Sequence, residues 1–290
     1  MFATLLGPLP RPPLPEDVAT ESVLDAVLAL QVEHGLEPLT DGGWPTDPSD
    51  PVVAWRATDA RTSHLVKAVI TGPFTAGSDG AAERRLLLDL AMAGCRWIEV
   101  HEPEAVRLGS DAAARDRFAR SHEALTRDLG DVHCSLAITG GSAEAAGIET
   151  ILAGAYASLA VDLIAGPDNW RLVVDAPGDR GVVCGVVAAR SGSDDGPELL
   201  LWAAGYAAST GGRGASRVGL ATASSYAGLT WEAAATKVRR LGEAVRLAIA
   251  PREERAEALD PRAIDSRSAA MGRYAPRPRG RREGRRPTEH

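Results

Sequence analysis

The sequence predicts an α/β protein: a single (β/α)8 barrel of the TIM type, followed by a disordered basic C-terminal tail. Three observations point there. Short apolar or β-branched runs alternate with helical patterns about eight times over residues 1–250, and such repetition over roughly 250 residues is the usual size of a closed parallel barrel. Hydrophobic residues make up 44% of the chain but aromatic ones only 4%, so Ala, Val and Leu must fill the core, as helix-on-sheet layers allow. The first strand–helix junction lacks a G-x-G-x-x-G signature, which weakens the doubly wound, dinucleotide-binding alternative.

The elements follow in order. "ATLLG" reads as a strand, and "LPRPPLPED" as a rigid loop, because proline fixes φ and denies backbone donors. Thr20 is placed to cap a helix whose Val23, Val27, Leu30 and His34 recur at helical spacing until Gly35. "LEPLTDGGWPTDPSDP" reads as a very short strand and a turn-rich loop, "HLVKAVITGPFT" as a strand into a Gly-Pro turn. "GAAERRLLLDLAMAG" is helical, "CRWIEVHEP" a strand stopped by Pro103, and "DAAARDRFARSHEALTRDLG" a capped helix before "DVHCSLAI". "SAEAAGIETILAGAY" reads as helical, "ASLAVDLIAG", "RLVVDAP" and "GVVCGVVAAR" as strands. "PELLLWAAGYAAST", the strand "SRVGLATA" and the helix "TWEAAATKVRRLGEAVRLAIA" complete the barrel.

Residues 251–290 are polar and rich in Arg and Pro. Such a segment cannot bury enough apolar area to offset its ordering entropy, so disorder is expected beyond about Ser268. The formal net charge of −7 offers no general attraction to nucleic acid or membranes. From Arg273 onward, however, seven arginines face only Glu283 and Glu289, so this tail is the one part suited to an acidic partner. Cys95, Cys134 and Cys184 are odd in number and far apart, unlike a disulfide framework. With no signal-peptide pattern and no apolar run of spanning length, the expectation is a soluble, cytoplasmic protein with a small-molecule ligand and no membrane.

In such a barrel the chemistry sits at the C-terminal strand ends. The residues read there are Gly7 and Pro8; Asp41, Gly42 and Gly43; Thr71, Gly72 and Pro73; Glu99, His101 and Glu102; His133 and Cys134; Asp162; Cys184; and Ser224 to Gly228. His101 and Glu102 are candidate acid–base residues, although strand neighbours point to opposite faces, so only one can face inward. His133 and Cys134 have the same difficulty as zinc ligands. The glycine-rich "GGRGAS" and "TGGS" read as ordinary loops, since neither matches a P-loop.

The order "TLLGPLPRP", "LQVEHGLEPLTDGG", "VITGPFT", "AMAGCRWIEVHEPEAV", "VHCSLAITGG", "LAVDLI", "YAGLTWEAAATKVRRLGEAV" resembles the catalytic barrel of the cobalamin-independent methionine synthases, within the uroporphyrinogen decarboxylase/methionine synthase-like superfamily. The resemblance spans about Thr4 to Leu247 and implies a divergent single-barrel member. It implies, for an active member, methyl transfer from a folate or corrinoid donor to the homocysteine thiol, which zinc activates as a thiolate. The positions implied to hold the amino acid are Pro8, Gly43 and His101, none of the family's residue type. Of four implied zinc ligands only Cys134 remains; Val132 and Ala227 replace a histidine and a cysteine, and no glutamate falls near Gly166 to Asp168. The resemblance therefore implies a homologue without the zinc-dependent activity. An alkyltransferase with a rebuilt site, using His101, Glu102, His133 and Cys134, and a non-catalytic scaffold acting through the basic tail are the alternatives.

Overall fold

Seven of the apolar runs form parallel strands in the computed structural model, which describes residues 1–192 and 196–258. They are β1 Phe2–Thr4, β2 Ala68–Thr71, β3 Trp97–His101, β4 His133–Ile138, β5 Ser158–Asp162, β6 Gly181–Val187 and β7 Val218–Thr222. The sheet order β1-β7-β6-β5-β4-β3-β2 is that of a barrel wall traced from one edge to the other. The helices are α1 Thr20–Glu33, α2 Pro51–Asp59, α3 Pro73–Ala76, α4 Ala81–Met92, α5 Ala112–Leu125, α6 Ile148–Ile151, α7 Trp170–Asp175, α8 Pro197–Ser209, α9 Trp231–Ile249 and α10 Arg252–Ala258. Of the expected tail, residues 251–290, α10 occupies the first part, and everything beyond residue 258 lies outside the described residues.

The gap between the edge strands β1 and β2 is bridged only in part, by a stub. Glu37 N–H donates to the Ala3 carbonyl at 2.8 Å, and the Thr4 hydroxyl donates to the Pro38 carbonyl at 2.7 Å. Leu39 N–H reaches the Leu65 carbonyl at 2.8 Å, and Lys67 N–H returns to the Leu39 carbonyl at 2.9 Å. Buried Gln31 fixes the stub from α1: its amide donates to the Thr40 carbonyl at 2.8 Å and accepts from Thr40 N–H at 3.0 Å. The glutamine of the Gln-x-x-x-Gly-Leu pattern thus works as a backbone splint, satisfying groups that a paired strand would otherwise satisfy.

Strand alternation sorts the core into two layers. Ile98, Cys134, Leu136, Leu159, Val182 and Leu220 point outward to the helices. Leu6, Ala137, Ala160, Val183 and Ala221 point inward, with Phe2 packed against them. The barrel lumen is therefore filled largely by small side chains, as the low aromatic content requires.

Four local readings change. "RLVVDAP" belongs to α7 rather than to a strand; its Leu172 and Val173 bury against the sheet after a short Pro167–Asn169 turn, so tertiary packing overrides the β-branched pair. α2 lies just beyond the expected loop: Asp50 accepts from Val52 and Val53 N–H, and Pro51 takes the first turn. α1 starts at Thr20 with Ala19 in the cap position, so the expected Thr20 cap does not form. The region read as one helix from Ser142 onward holds only a short turn and the single-turn α6.

Candidate functional site at the β2–β3 side of the barrel

Three titratable residues stand at and just past the end of β3, and alternation separates them. Glu99 and His101 point inward, and Glu102 points outward. Glu99 is 1% exposed yet anionic. Lys67, itself 2% exposed, donates to Glu99 Oε1 at 2.7 Å and to the Leu5 carbonyl at 2.8 Å. His101 Nε2 lies 2.8 Å from the same Oε1, and the Ser135 hydroxyl donates to Oε2 at 3.4 Å. Burial alone would raise the Glu99 pKa, but the Lys67 charge and the His101 contact hold it down at about 2. Burial pulls the Lys67 pKa below its ordinary value, opposed by Glu99. A buried charge persists only when paired and hydrogen-bonded, which this arrangement provides.

His101 links this pair to solvent. Its side chain is 16% exposed, and its register partner Thr71 and the neighbouring inner-face residue Val69 are both exposed. The lumen is open beside β2, where the stub fails to continue as a strand. An imidazole with one nitrogen held by a buried carboxylate is the arrangement of a positioned proton donor or acceptor.

Glu102 has a structural place. Its carboxylate accepts from Phe74 N–H at 2.9 Å and Thr75 N–H at 2.7 Å, capping the single turn of α3, and lies 3.1 Å from His122 Nε2. The other His122 nitrogen meets the Tyr156 hydroxyl, and its ring stacks on Phe118. A Cβ on Gly72 would lie 2.2 Å from Glu102 Oε1, so the Gly-Pro turn needs its glycine to let this carboxylate cross the strand end. The acid–base expectation for Glu102 is corrected: its oxygens are committed to backbone and to a buried histidine outside the lumen.

His133 and Cys134 begin β4 and do not end it. The expectation that they stand at the mouth is therefore corrected by the length of the strand, which runs on to Ile138. His133 faces inward at the opposite end of the barrel, its ring packed at a tilt against Trp97 with centroids 3.8 Å apart and its Nε2 2.8 Å from the Ser158 hydroxyl. Burial there lowers its pKa to about 4, favouring the neutral ring. Cys134 lies in the sheet–helix layer, 1% exposed, its register partner Ile98 on the same face, and burial pushes its thiol up to about 12. Cys184 is likewise outward and pushed up to about 12.

Pro8 and Gly43 do come together at the end of β1. A Cβ on Gly43, which has φ +81°, would fall 2.4 Å from Pro8 Cβ. The two replacements are thus coupled: the proline ring occupies the space that a side chain at residue 43 would need. His101 is instead held by Glu99. Asp162, at the end of β5, accepts from Gly140, Ile164 and Ala165 N–H at 3.1, 2.8 and 2.8 Å and shapes its own loop. Ala227 is exposed in the loop after β7.

Zinc does not fit these residues. Ligands must converge on one point with coordination-competent donors. Cys134 faces the helices with a protonated thiol, Glu102 caps α3, and His133 sits at the far end. Among the described residues, no three of His, Cys, Asp and Glu gather in a group that could hold a metal ion. No helix among them is long and apolar enough to cross a membrane.

No protein-family model matches the chain, and no curated protein matches it. Solved structures do. A B12-independent methionine synthase from Shewanella sp. W3-18-1, in complex with selenomethionine, superposes with a TM-score of 0.65 at 14% identity, over 84% of this chain and 97% of that one. A protein from Listeria monocytogenes described as a vitamin-B12-independent methionine synthase gives 0.64 at 17% identity, over 86% and 96%. The shared feature is the fold: a single barrel of this type, matched along nearly the whole of both solved chains.

Proposed function

We propose that the chain is a divergent relative of the cobalamin-independent methionine synthases that has kept their barrel and left their zinc chemistry, binding instead a small molecule at the open β2–β3 side of the lumen. Support comes from the likeness of fold together with the ordered Gly-Pro, Glu-Pro and Gln-x-x-x-Gly-Leu motifs, each of which has a structural task here. The single observation that carries the reading is the Lys67–Glu99–His101 network. An ion pair at 0% and 1% side-chain exposure is a costly way to fill a lumen. It is accounted for if it holds the His101 ring at a fixed orientation beside the opening. His101 would then exchange a proton with the ligand, while Glu99 and Lys67 position it without touching the ligand.

The reading predicts that the chain does not make methionine. Expressed in a methionine auxotroph, with soluble full-length protein verified in the same cells, it leaves growth dependent on added methionine. Growth on homocysteine alone would overturn the proposal.

A further inference from the structure

The barrel wall has a slot between the stub and β2. The stub's bridge joins Leu39 to Val66, and Lys67 N–H closes it at 2.9 Å on the Leu39 carbonyl. Past that point β2 is an edge strand, bonded only to β3. Gly72 N–H donates to the His101 carbonyl, on the β3 side. Backbone direction alternates along a strand, so the carbonyls of Val69 and Thr71 point away from β3, into the slot. These are the two exposed residues that open His101 to solvent.

Two clefts of about 160 and about 360 Å3 follow the slot and share Pro51 and Val69. Pro45, Trp55 and Val66 give the first an apolar wall, and Leu86 does so in the second. Val69, 42% exposed, stands between them. Asp41 lines the first cleft. Its Oδ1 accepts from Gly43 N–H at 2.8 Å, and among the described residues no cation pairs with it. Burial raises its carboxyl above the ordinary range, opposed only by that backbone bond. Lys67 also lines this cleft, but its ammonium is taken up by Glu99 at 2.7 Å and the Leu5 carbonyl at 2.8 Å. Glu83 lines the second cleft, and its Oε2 is buried with no hydrogen-bond partner among the described residues. The next two arginines of α4 are committed elsewhere, Arg84 to the Leu125 carbonyl at 2.9 Å and Arg85 to Asp89 at 3.1 Å.

These features specify their complement. A buried carboxylate without a donor is costly, and a charge-assisted N–H···O bond removes that cost. The occupant therefore carries a cationic N–H donor into each cleft. Between the two it is apolar and slender, since it passes over Val69 and Pro51 from one small cleft to the other. The carbonyls of Val69 and Thr71 accept further N–H groups along the way. A neutral ligand leaves both carboxylates unpaired, and an anion is repelled by them.

We infer that the slot binds a linear polyamine, with one ammonium on Asp41, another on Glu83, and methylene segments over Val69 and Pro51. The inference rests on the reading that the open side of the lumen takes a small molecule, and it adds the chemical class. None of the positions implied for the family's amino acid, Pro8, Gly43 and His101, lines either cleft.

Calorimetric titration of the full chain with spermidine decides it, at about 0.15 M salt so that diffuse attraction is screened. One spermidine should bind per chain, and Asp41→Asn and Glu83→Gln should each weaken it at least ~10-fold. Glu123→Gln together with Glu232→Gln, which removes two exposed carboxylates outside the slot, should leave binding unchanged. Glu83→Gln keeps the test decisive if Asp41→Asn fails to fold, because the Oε2 it alters has no partner to lose among the described residues. Equal weakening by the exposed pair, or no spermidine binding, would overturn the inference. So would tighter binding of the uncharged diol or the dicarboxylate of the same chain length, an outcome that leaves the small-molecule reading standing. Growth of the methionine auxotroph on homocysteine, read separately, would remove that reading instead.

Discussion

The two faces of β3 bury a carboxylate by different means. Inside the barrel, Glu99 is held by a cation, with Lys67 at 2.7 Å. Outside it, three residues along, Glu102 is held chiefly by backbone N–H groups and a histidine. The outer arrangement is local: a carboxylate capping one helical turn, the kind of contact that fixes a fold. The inner one gathers Lys67, just before β2, with Glu99 and His101 of β3 and leaves one of the three at the solvent boundary. The comparison teaches that burial and charge alone do not mark a site; what matters is whether the partners are exhausted by the backbone or aimed at an opening.

The largest expected effect breaks the inner arrangement. Lys67→Met leaves Glu99 as an uncompensated buried charge and should cost ~3–5 kcal/mol in denaturant unfolding. Adding Glu99→Leu to that chain should restore most of it, since a buried pair replaced by apolar residues is often neutral. No recovery would show that the pair does more than satisfy itself. The outer arrangement should be less costly to disturb. Glu102→Gln keeps the shape but turns an N–H donor toward an N–H donor, an expected loss of ~2 kcal/mol by thermal or chemical unfolding. An equal loss from both changes would erase the contrast between the faces.

A pH titration sharpens the inner face further. His133, with a folded pKa of about 4, is neutral in the native barrel. Once unfolded it titrates near its ordinary value, so the unfolded chain binds the extra proton in between. Stability from this residue is therefore complete above about pH 6.5 and declines as pH falls toward 4. The full decline is at most ~3 kcal/mol, reduced by partial exposure of the ring. His133→Gln should flatten the stability–pH curve in that window, and an unchanged slope would reject the assignment. The smallest effect is expected at Cys134, where Ala removes one buried sulfur at a cost of about 1 kcal/mol.

Much of this was legible before the structure. The parallel barrel, the strand ends at Thr71 and Asp162, and the separation of His101 from Glu102 follow from run lengths and alternation. β4 was misjudged because "VHCSLAI" is apolar enough to pair throughout, so the strand continues past the residues that looked like its end. Gly43 and Pro8 read as two independent losses, while only their contact shows that one forces the other. Lys67 was passed over although a signal existed: it is one of only two lysines among 32 basic residues and sits within an apolar strand. The stub at 37–40 was not legible, because its pairing depends on Gln31 reaching across from α1.

The proposal turns on zinc: a barrel shaped like those of the solved methionine synthases, with no zinc held in it. Metal analysis of purified full-length protein, loaded with excess zinc and then dialysed, tests it most directly. The expected result is less than about a tenth of an equivalent of bound zinc, unchanged in Cys134→Ala, because among the described residues no donor set converges to hold a tetrahedral ion. About one equivalent, lost in Cys134→Ala, would contradict it.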